Sequence, residues 1–279
     1  MDAIKVITDS TADLTPELLE RYAIGVVPLS VTIGGETFPD GTFTQAEFFE
    51  RMNAASALPT TSQPPVGAFK EAYERALETA REVVSVHIST HLSGTVEAAR
   101  EAAKDFGGRV HVFDSLNLSW GLGWQVLEAA RAVSEGLSAE EVLRRAEALR
   151  DRVHLIVGVD KLDNLAKGGR IGRVTAFLGS VLNMRVTFCV CDGIFVPVGR
   201  ARGTSAILAQ TMEWIADQMD GRSRGAFCVI HAMAADKAEW LRDAIEARFD
   251  VAEMHMAETG TVIATHTGTG FGVAFIPQE

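Results

Sequence analysis

The sequence predicts an α/β fold in two parts, an N-terminal open parallel sheet with helices on both faces and a mixed α+β C-terminal domain. The chain has 279 residues, which suits two domains of about 150 residues each. Its first half alternates short Val- and Ile-rich runs with stretches of helical periodicity. Its second half contains two apolar runs separated only by Asp192-Gly193. We therefore expect domains over residues 1–152 and 153–279.

The alternation in the first half predicts parallel strands joined by helices. The strand candidates are nearly continuous in apolar residues, which is typical of strands covered on both faces. These candidates span residues 4–8, 25–33, 83–88 and 110–113. The helix candidates span residues 16–22, 65–82, 95–105, 120–135 and 139–150. The second helix candidate is followed directly by a strand candidate.

The second half shows no such regular alternation, which predicts a mixed sheet. Asp192-Gly193 between apolar runs is a strong signal for a two-residue hairpin. We expect strands over residues 153–159, 186–191, 194–198, 227–231, 251–256 and 272–276. We expect helices over residues 160–166, 173–182, 205–219 and 236–249.

The charge of the chain argues against some classes of partner. The formal net charge is −11 and the isoelectric point is about 5.2, whereas nucleic acid requires clusters of Lys and Arg. We therefore expect no nucleic acid partner and at most transient contact with a membrane. The N-terminus has neither a basic region nor a long apolar stretch, so we expect no signal peptide. For the same reason we expect a cytoplasmic protein. The three cysteines lack the spacing of a zinc site, so we expect no metal.

Polar turns follow three of the predicted strands. In an open α/β sheet, the loops after the strands form the crevice in which ligands bind. The alternative is that these side chains only cap the helices that follow. The residues concerned are Asp9 and Ser10 in the first turn, Ser93, Gly94 and Thr95 in the second, and Ser115 and Ser119 in the third.

Two further segments contain groups that could bind an anion. Thr61 and Ser62 precede a predicted helix, where hydroxyls and unpaired backbone N–H groups suit a carboxylate or a phosphate. A polar helix cap is the alternative for both residues. His266 follows Thr265 among hydroxyls and glycines near the end of the sequence, and its ring could donate a hydrogen bond. A lone histidine is nevertheless more often structural than functional.

The basic residues of this acidic chain are densest in two glycine-containing segments. Residues 167–173 contain Lys167, Arg170 and Arg173, and residues 199–203 contain Arg202. Glycines remove side chains while the cations remain, so these segments suit an anion or an acidic partner. A helix end followed by solvated charge is the alternative.

In their order and spacing, these motifs resemble the DegV family with its EDD fold, including the fatty-acid-binding subunits of bacterial fatty acid kinase (FakB type). The motifs that carry the resemblance extend from Thr8-Asp9-Ser10 to His266-x-Gly268-x-Gly270. The sequence departs from the family pattern at Val96, Ala264 and Thr269.

The resemblance implies a role for each candidate residue. The carboxyl group of a fatty acid is bound by Thr61, Ser62, Ser93, Gly94, Thr95 and His266. The supporting pocket residues are Asp9, Ser10, Ser115, Ser119 and Thr265. The residues that face a partner or a phosphate are Arg170, Arg173 and Arg202. No residue is assigned a catalytic role.

The resemblance also implies a function, which is to hold a fatty acid inside the protein with its carboxyl group near the domain boundary. A tail of about 16 to 18 carbons gains at most about 0.8 kcal/mol per methylene on burial from water. A separate ATP-dependent fatty acid kinase then phosphorylates the carboxyl group to an acyl phosphate. The C-terminal domain completes the lipid pocket, and no cofactor is required.

Two other functions are consistent with the same residues. A serine-dependent hydrolase acting on a small ester or acyl substrate would use Ser93 and His266, although no third orienting residue is identifiable. A phosphate-binding transferase would use Lys167 and Arg170, although the sequence lacks a P-loop.

Overall fold

The computed structural model describes residues 2–160, 162–170 and 184–279. Its strands are β1 (Asp2–Asp9), β2 (Gly25–Val27), β3 (Ser30–Ile33), β4 (Glu36–Pro39), β5 (Thr60–Ser62), β6 (Ala80–His87), β7 (Val110–Asp114), β8 (His154–Val159), β9 (Arg185–Cys191), β10 (Ile194–Ala201), β11 (Arg224–Ala232), β12 (Asp250–Glu258) and β13 (Gly270–Gln278). Its helices are α1 (Pro16–Arg21), α2 (Gln45–Ala54), α3 (Val66–Leu77), α4 (Thr95–Ala103), α5 (Ser119–Ser134), α6 (Ala139–Arg150), α7 (Asp163–Lys167), α8 (Thr204–Gln218), α9 (Ala235–Arg248) and α10 (Thr261–Thr267).

The predicted parallel sheet of the first half is confirmed. Its strand order is β2-β1-β6-β7, and each neighbouring pair is parallel. Alternate residues of β1 pack against different helices, since Ile7 joins the cluster under α3 and α4 while Val6 joins the cluster under α5. The sheet is therefore covered on both faces, as its nearly continuous apolar strands indicated.

The predicted strand over residues 25–33 is wrong as a single strand. Pro28 has no N–H group for a sheet ladder, and the N–H of Leu29 donates to the side chain of Ser10 at 3.1 Å. The chain therefore leaves the parallel sheet after β2 and continues as β3 in a separate antiparallel sheet of order β4-β3-β5. The predicted helix over residues 65–82 is also too long, because the chain turns after Leu77 and enters β6 at Ala80.

The second half contains a mixed six-stranded sheet of order β10-β9-β8-β13-β11-β12. The predicted hairpin between β9 and β10 is confirmed, and Asp192 and Gly193 take the positive φ angles of 50° and 77° that its tight turn requires. The predicted helix over residues 173–182 lies outside the described residues. No helix in the described ranges is both long and apolar enough to cross a membrane.

Helix α5 joins the two halves of the molecule. It packs on β1 and β6 and also on β8 and β13, and the indole N–H of Trp124 donates to the carbonyl of Ala274 at 3.3 Å. The largest apolar cluster accordingly includes Val86 from the first sheet and Leu155 from the second. The domain boundary near residue 152 coincides with the change of sheet and stays a prediction.

Candidate functional site

A cavity of about 260 Å³ lies where the loops of the first half meet α7, α10 and β10 of the second. Polar residues and apolar residues both contribute to its wall. The polar group is Thr11, Thr61, Ser62, Gln63, Ser93, Arg170, His266 and Thr267. The remaining lining residues are Leu29, Ile88, Leu92, Gly94, Leu118, Phe195, Val262 and Ile263. Arg170 is the only charged residue among the lining residues that the structure describes.

Thr61 and His266 form a contact across the two halves of the chain. Thr61 lies in β5, against which α10 packs, and its Oγ1 is 2.8 Å from Nε2 of His266. The other ring nitrogen of His266, Nδ1, is buried without a partner among the described residues. An orphaned N–H costs more than an orphaned lone pair, so we assign the proton to Nε2. The hydrogen of Thr61 is then available for a ligand.

The imidazole of His266 is neutral at physiological pH. Burial, helped by the nearby positive charge of Arg170, lowers the pKa of His266 to about 4. Gly168 explains how the ring fits, because a Cβ atom at this position would lie 2.3 Å from Nδ1. The ring therefore acts as a hydrogen-bond donor to Thr61 rather than as a cation that pairs with an anion.

Ser93 is held by its neighbour Thr95 in the turn between β6 and α4. The two side-chain oxygens are 2.8 Å apart, and the backbone N–H of Thr95 donates to Oγ of Ser93 at 3.3 Å. When the hydroxyl of Thr95 donates as well, the oxygen of Ser93 accepts two hydrogen bonds and its own hydrogen can point into the cavity. Thr95 itself is fully buried and does not line the cavity.

The remaining residues of these two segments shape the wall. Ser62 lines the cavity, as does Gly94. A Cβ atom at Gly94 would lie 2.1 Å from Oε1 of Gln63, so the glycine lets the Gln63 amide approach the turn. The two predicted carboxyl-binding segments are thus packed directly against each other.

The predicted arginines occupy different places. Arg170 lies at the cavity, where its guanidinium donates to the carbonyls of Leu92 at 3.4 Å and Gly168 at 2.8 Å. Arg202 is exposed just after β10 and does not line the cavity. Arg173 lies outside the described residues.

Two carboxyl groups of the first half, from buried Asp13 and half-buried Asp40, hold the start of α10 and therefore position His266. Asp13 accepts hydrogen bonds from Ser119, Thr259 and the N–H of Gly260. Asp40 accepts bonds from the N–H and hydroxyl groups of Thr261. Burial raises the pKa of Asp13 to about 7. Ser119, a predicted site residue, therefore helps to position α10 through its hydrogen bond to Asp13. It also lines a second cavity.

This second cavity, of about 30 Å³, adjoins the first on the side of the C-terminal sheet. Four residues line both cavities, and we call this shared boundary the neck: Leu118, Phe195, Ile263 and Thr267. Beyond the neck the wall is mostly apolar and includes Leu155, Val157 and Val159 of β8. Most of the polar side chains therefore belong to the first cavity, and the second cavity is mostly apolar.

Other predicted pocket residues lie outside both cavities and stabilise the turns. Asp9 is buried and accepts bonds from Thr11, His87 and the N–H of Ile88. The other three residues make local contacts: Ser10 accepts from Leu29, Ser115 pairs with the backbone of Asn117, and Thr265 donates to Thr261 within α10. The departures from the family pattern at Val96, Ala264 and Thr269 also line neither cavity.

The residues that the structure describes do not bring Ser93 and His266 together as a hydrolase site. Nε2 of His266 is bonded to Thr61 rather than to Ser93, and no carboxylate among the described residues orients Nδ1. A chain of Asp9, His87 and Ser85 does exist, with distances of 3.0 and 2.6 Å between successive partners. All three side chains are buried within the parallel sheet, so this chain is structural.

Several residues that line the two cavities were not identified from the sequence. Thr11 and Gln63 directly follow residues that we singled out, and only the fold shows which hydroxyl or amide faces the cavity. The neck residues Leu118, Phe195 and Ile263 are ordinary apolar residues of three separate elements. No local signal distinguishes them from the rest of the core.

The chain resembles known proteins over its whole length. A family model described as an uncharacterised protein of the DegV family matches residues 3–278. A DegV domain-containing protein of Deinococcus radiodurans is 39% identical over 279 residues, covering 99% of each chain.

Solved structures give the same result. A DegV family protein from Thermus thermophilus, described by its fatty acid binding, is 37% identical with a TM-score of 0.95, covering 99% of this chain and 100% of the other. A stearic-acid-binding protein from Eubacterium ventriosum is 26% identical with a TM-score of 0.90, covering 98% of each chain.

Proposed function

Because this chain belongs to the DegV family, we propose that it binds a long-chain fatty acid and holds it by the carboxylate. The observation that supports this proposal is the pair of hydroxyls from Thr61 and Ser93 on one cavity, which adjoins a second, mostly apolar cavity. Each of these oxygens has hydrogen-bond donors from its own neighbours, so each hydroxyl hydrogen is available to the ligand. Ser62, Gly94 and His266 complete the polar end.

Neutral donors suit this task better than a close cation. Hydrogen bonds to a carboxylate are charge-assisted and hold it without neutralising it. The acidic chain offers no general attraction for an anion, so the head group depends on these local donors and on Arg170 at the cavity. A tail that leaves a membrane gains little from burial, which again places orientation and affinity on the head group.

The test of this proposal is the ligand that accompanies the protein during purification. From cells rich in lipid, we expect mass spectrometry of the denatured protein to release about one fatty acid of roughly 16 to 18 carbons per chain, since each buried methylene slows its loss. An unrelated protein purified in the same way is the control. Protein that is consistently empty under these conditions contradicts the proposal.

We further propose that the protein is a carrier rather than an enzyme, and that it presents the carboxylate to a separate ATP-dependent kinase in the cytoplasm. A carboxylate held by hydroxyls keeps the nucleophilicity needed to attack the terminal phosphate of ATP, giving an acyl phosphate and ADP. Arg170 at the cavity and Arg202 near the end of β10 are suited to a phosphate or an acidic partner. Loading of the tail would need only transient membrane contact.

Arg202→Ala tests the kinase proposal. With the kinase and ATP present, we expect acyl phosphate production to fall about tenfold, the effect of losing about 1.4 kcal/mol of interaction, while fatty acid affinity is unchanged. Arg222→Ala, which removes another exposed arginine from the opposite end of α8, is the matched control. Production that is equal in both variants would remove Arg202 from the partner surface.

A further inference from the structure

The second cavity borders two glycines of the C-terminal sheet, which have no side chains to fill it. Gly270 and Gly272 of β13 line it, opposite Val159 and Val157 of β8 in the strand register. Successive residues of a strand point to opposite faces, so these two glycines share the face that borders the cavity. On both neighbouring strands, that face carries branched side chains, including Ile230 of β11.

The space available for a side chain differs between the two glycines. Neither has the positive φ angle that disfavours other residues. At Gly270 a Cβ atom would lie 2.4 Å from the carbonyl oxygen of Gly158, so close backbone packing requires the glycine. At Gly272 the nearest atoms would be the carbonyl oxygen of Ile156 at 3.3 Å and a methyl of Ile230 at 3.7 Å. A methyl group therefore fits at Gly272 with a slight adjustment.

We propose that Gly272 determines the length of the acyl tail that this protein accepts. The proposal rests on the proposed function, since it assigns the second cavity to the end of the tail. The neck of Leu118, Phe195, Ile263 and Thr267 is the boundary that this cavity shares with the polar one, and a tail held at the polar end enters the second cavity by passing these side chains. Gly272 contributes space rather than a contact, and the last methylenes occupy the space that a side chain would fill.

The size of the cavity makes a single methyl group significant. The space beyond the neck is about 30 Å³, and one water molecule already requires roughly 10 to 15 Å³ of such space. A Cβ atom at Gly272 takes a comparable share. A short tail ends before the neck and is unaffected, whereas a long tail loses the burial of its terminal carbons.

The experiment compares decanoate with stearate on delipidated protein. For Gly272→Ala we expect the Kd for stearate to rise roughly tenfold, equivalent to displacing about two methylenes, while the Kd for decanoate is unchanged. Gly67→Ala is the control, because a Cβ atom on this α3 glycine would meet no atom within 4 Å. It should alter neither affinity.

The outcomes separate this inference from the function on which it rests. Wild-type protein that binds neither acid refutes the proposed function. Wild-type protein that binds both, with Gly272→Ala weakening stearate no more than decanoate, refutes the role of Gly272 alone. If Gly272→Ala fails to fold, Val157→Ala decides the matter by enlarging the same cavity. It should shift the preference toward acids longer than stearate, and an unchanged chain-length profile overturns the inference.

Discussion

Replacing Thr61 with valine and Ser93 with alanine in one protein is expected to weaken fatty acid binding by about 100-fold or more. A hydrogen bond to a charged group is worth roughly 1.5 to 3 kcal/mol, and the double variant removes two such donors. Valine keeps the shape of threonine and therefore the apolar wall, but it also removes the oxygen that accepts from Nε2 of His266 in α10. Isothermal titration of delipidated protein with a long-chain fatty acid measures the change.

Thr60→Val is the matched control for this variant. Thr60 precedes Thr61 in β5 but is exposed and does not line the cavity. We expect its affinity to equal that of the wild type. Urea unfolding of each variant checks that the fold is intact. A double variant that folds normally and binds with undiminished affinity would remove both hydroxyls from the site.

Asp9→Asn is expected to destabilise the protein by about 3 kcal/mol, since it leaves buried donors without an acceptor. One oxygen of Asp9 accepts from the N–H and hydroxyl of Thr11, and the other accepts from His87 and the N–H of Ile88. Asparagine has one oxygen and therefore satisfies only one pair. Its amide group then faces an N–H donor inside the parallel sheet. The free energy of unfolding in urea measures this cost.

Asp114→Asn provides the comparison for this stability effect. Asp114 also ends a strand of the parallel sheet, but it is only half-buried. Its contact with the N–H of Leu116 at 3.0 Å uses one oxygen, which asparagine retains. We expect a loss below about 1 kcal/mol, within the usual range for changes that leave no buried donor unpaired. Equal losses in the two variants would show that Asp9 is not the special acceptor that its contacts indicate.

The parallel sheet could be predicted from sequence because each of its strands is a short apolar run between amphipathic helices. The Asp192-Gly193 hairpin could be predicted because its turn depends on two adjacent residues. The path after Pro28 could not, because a proline shows only where a ladder is interrupted and not which sheet receives the next strand. Strand β5 was missed for a related reason, since its residues Thr60–Ser62 also match a helix cap.

The candidate site, like the fold, could be predicted from the sequence only in part. Thr61, Ser93 and His266 could be singled out because their motifs are polar turns in a recognisable order. Their mutual arrangement could not be predicted, because Thr61 and His266 are 205 positions apart in the chain. The contribution of Asp13 was missed, because no local pattern shows that it contacts Thr259 and Gly260 near the other end of the sequence.

The neck of the cavity also has a consequence for the lifetime of the molecule. Leu118, Phe195 and Ile263 belong to the largest apolar cluster as well as to the cavity wall. In the proposed complex, a tail in the neck would complete the hydrophobic core, and the free energy of unfolding would increase with ligand concentration, by about 2.7 kcal/mol at 100 times the Kd. Empty molecules would unfold more often and be degraded sooner, so the abundance of the protein would follow the supply of its own ligand.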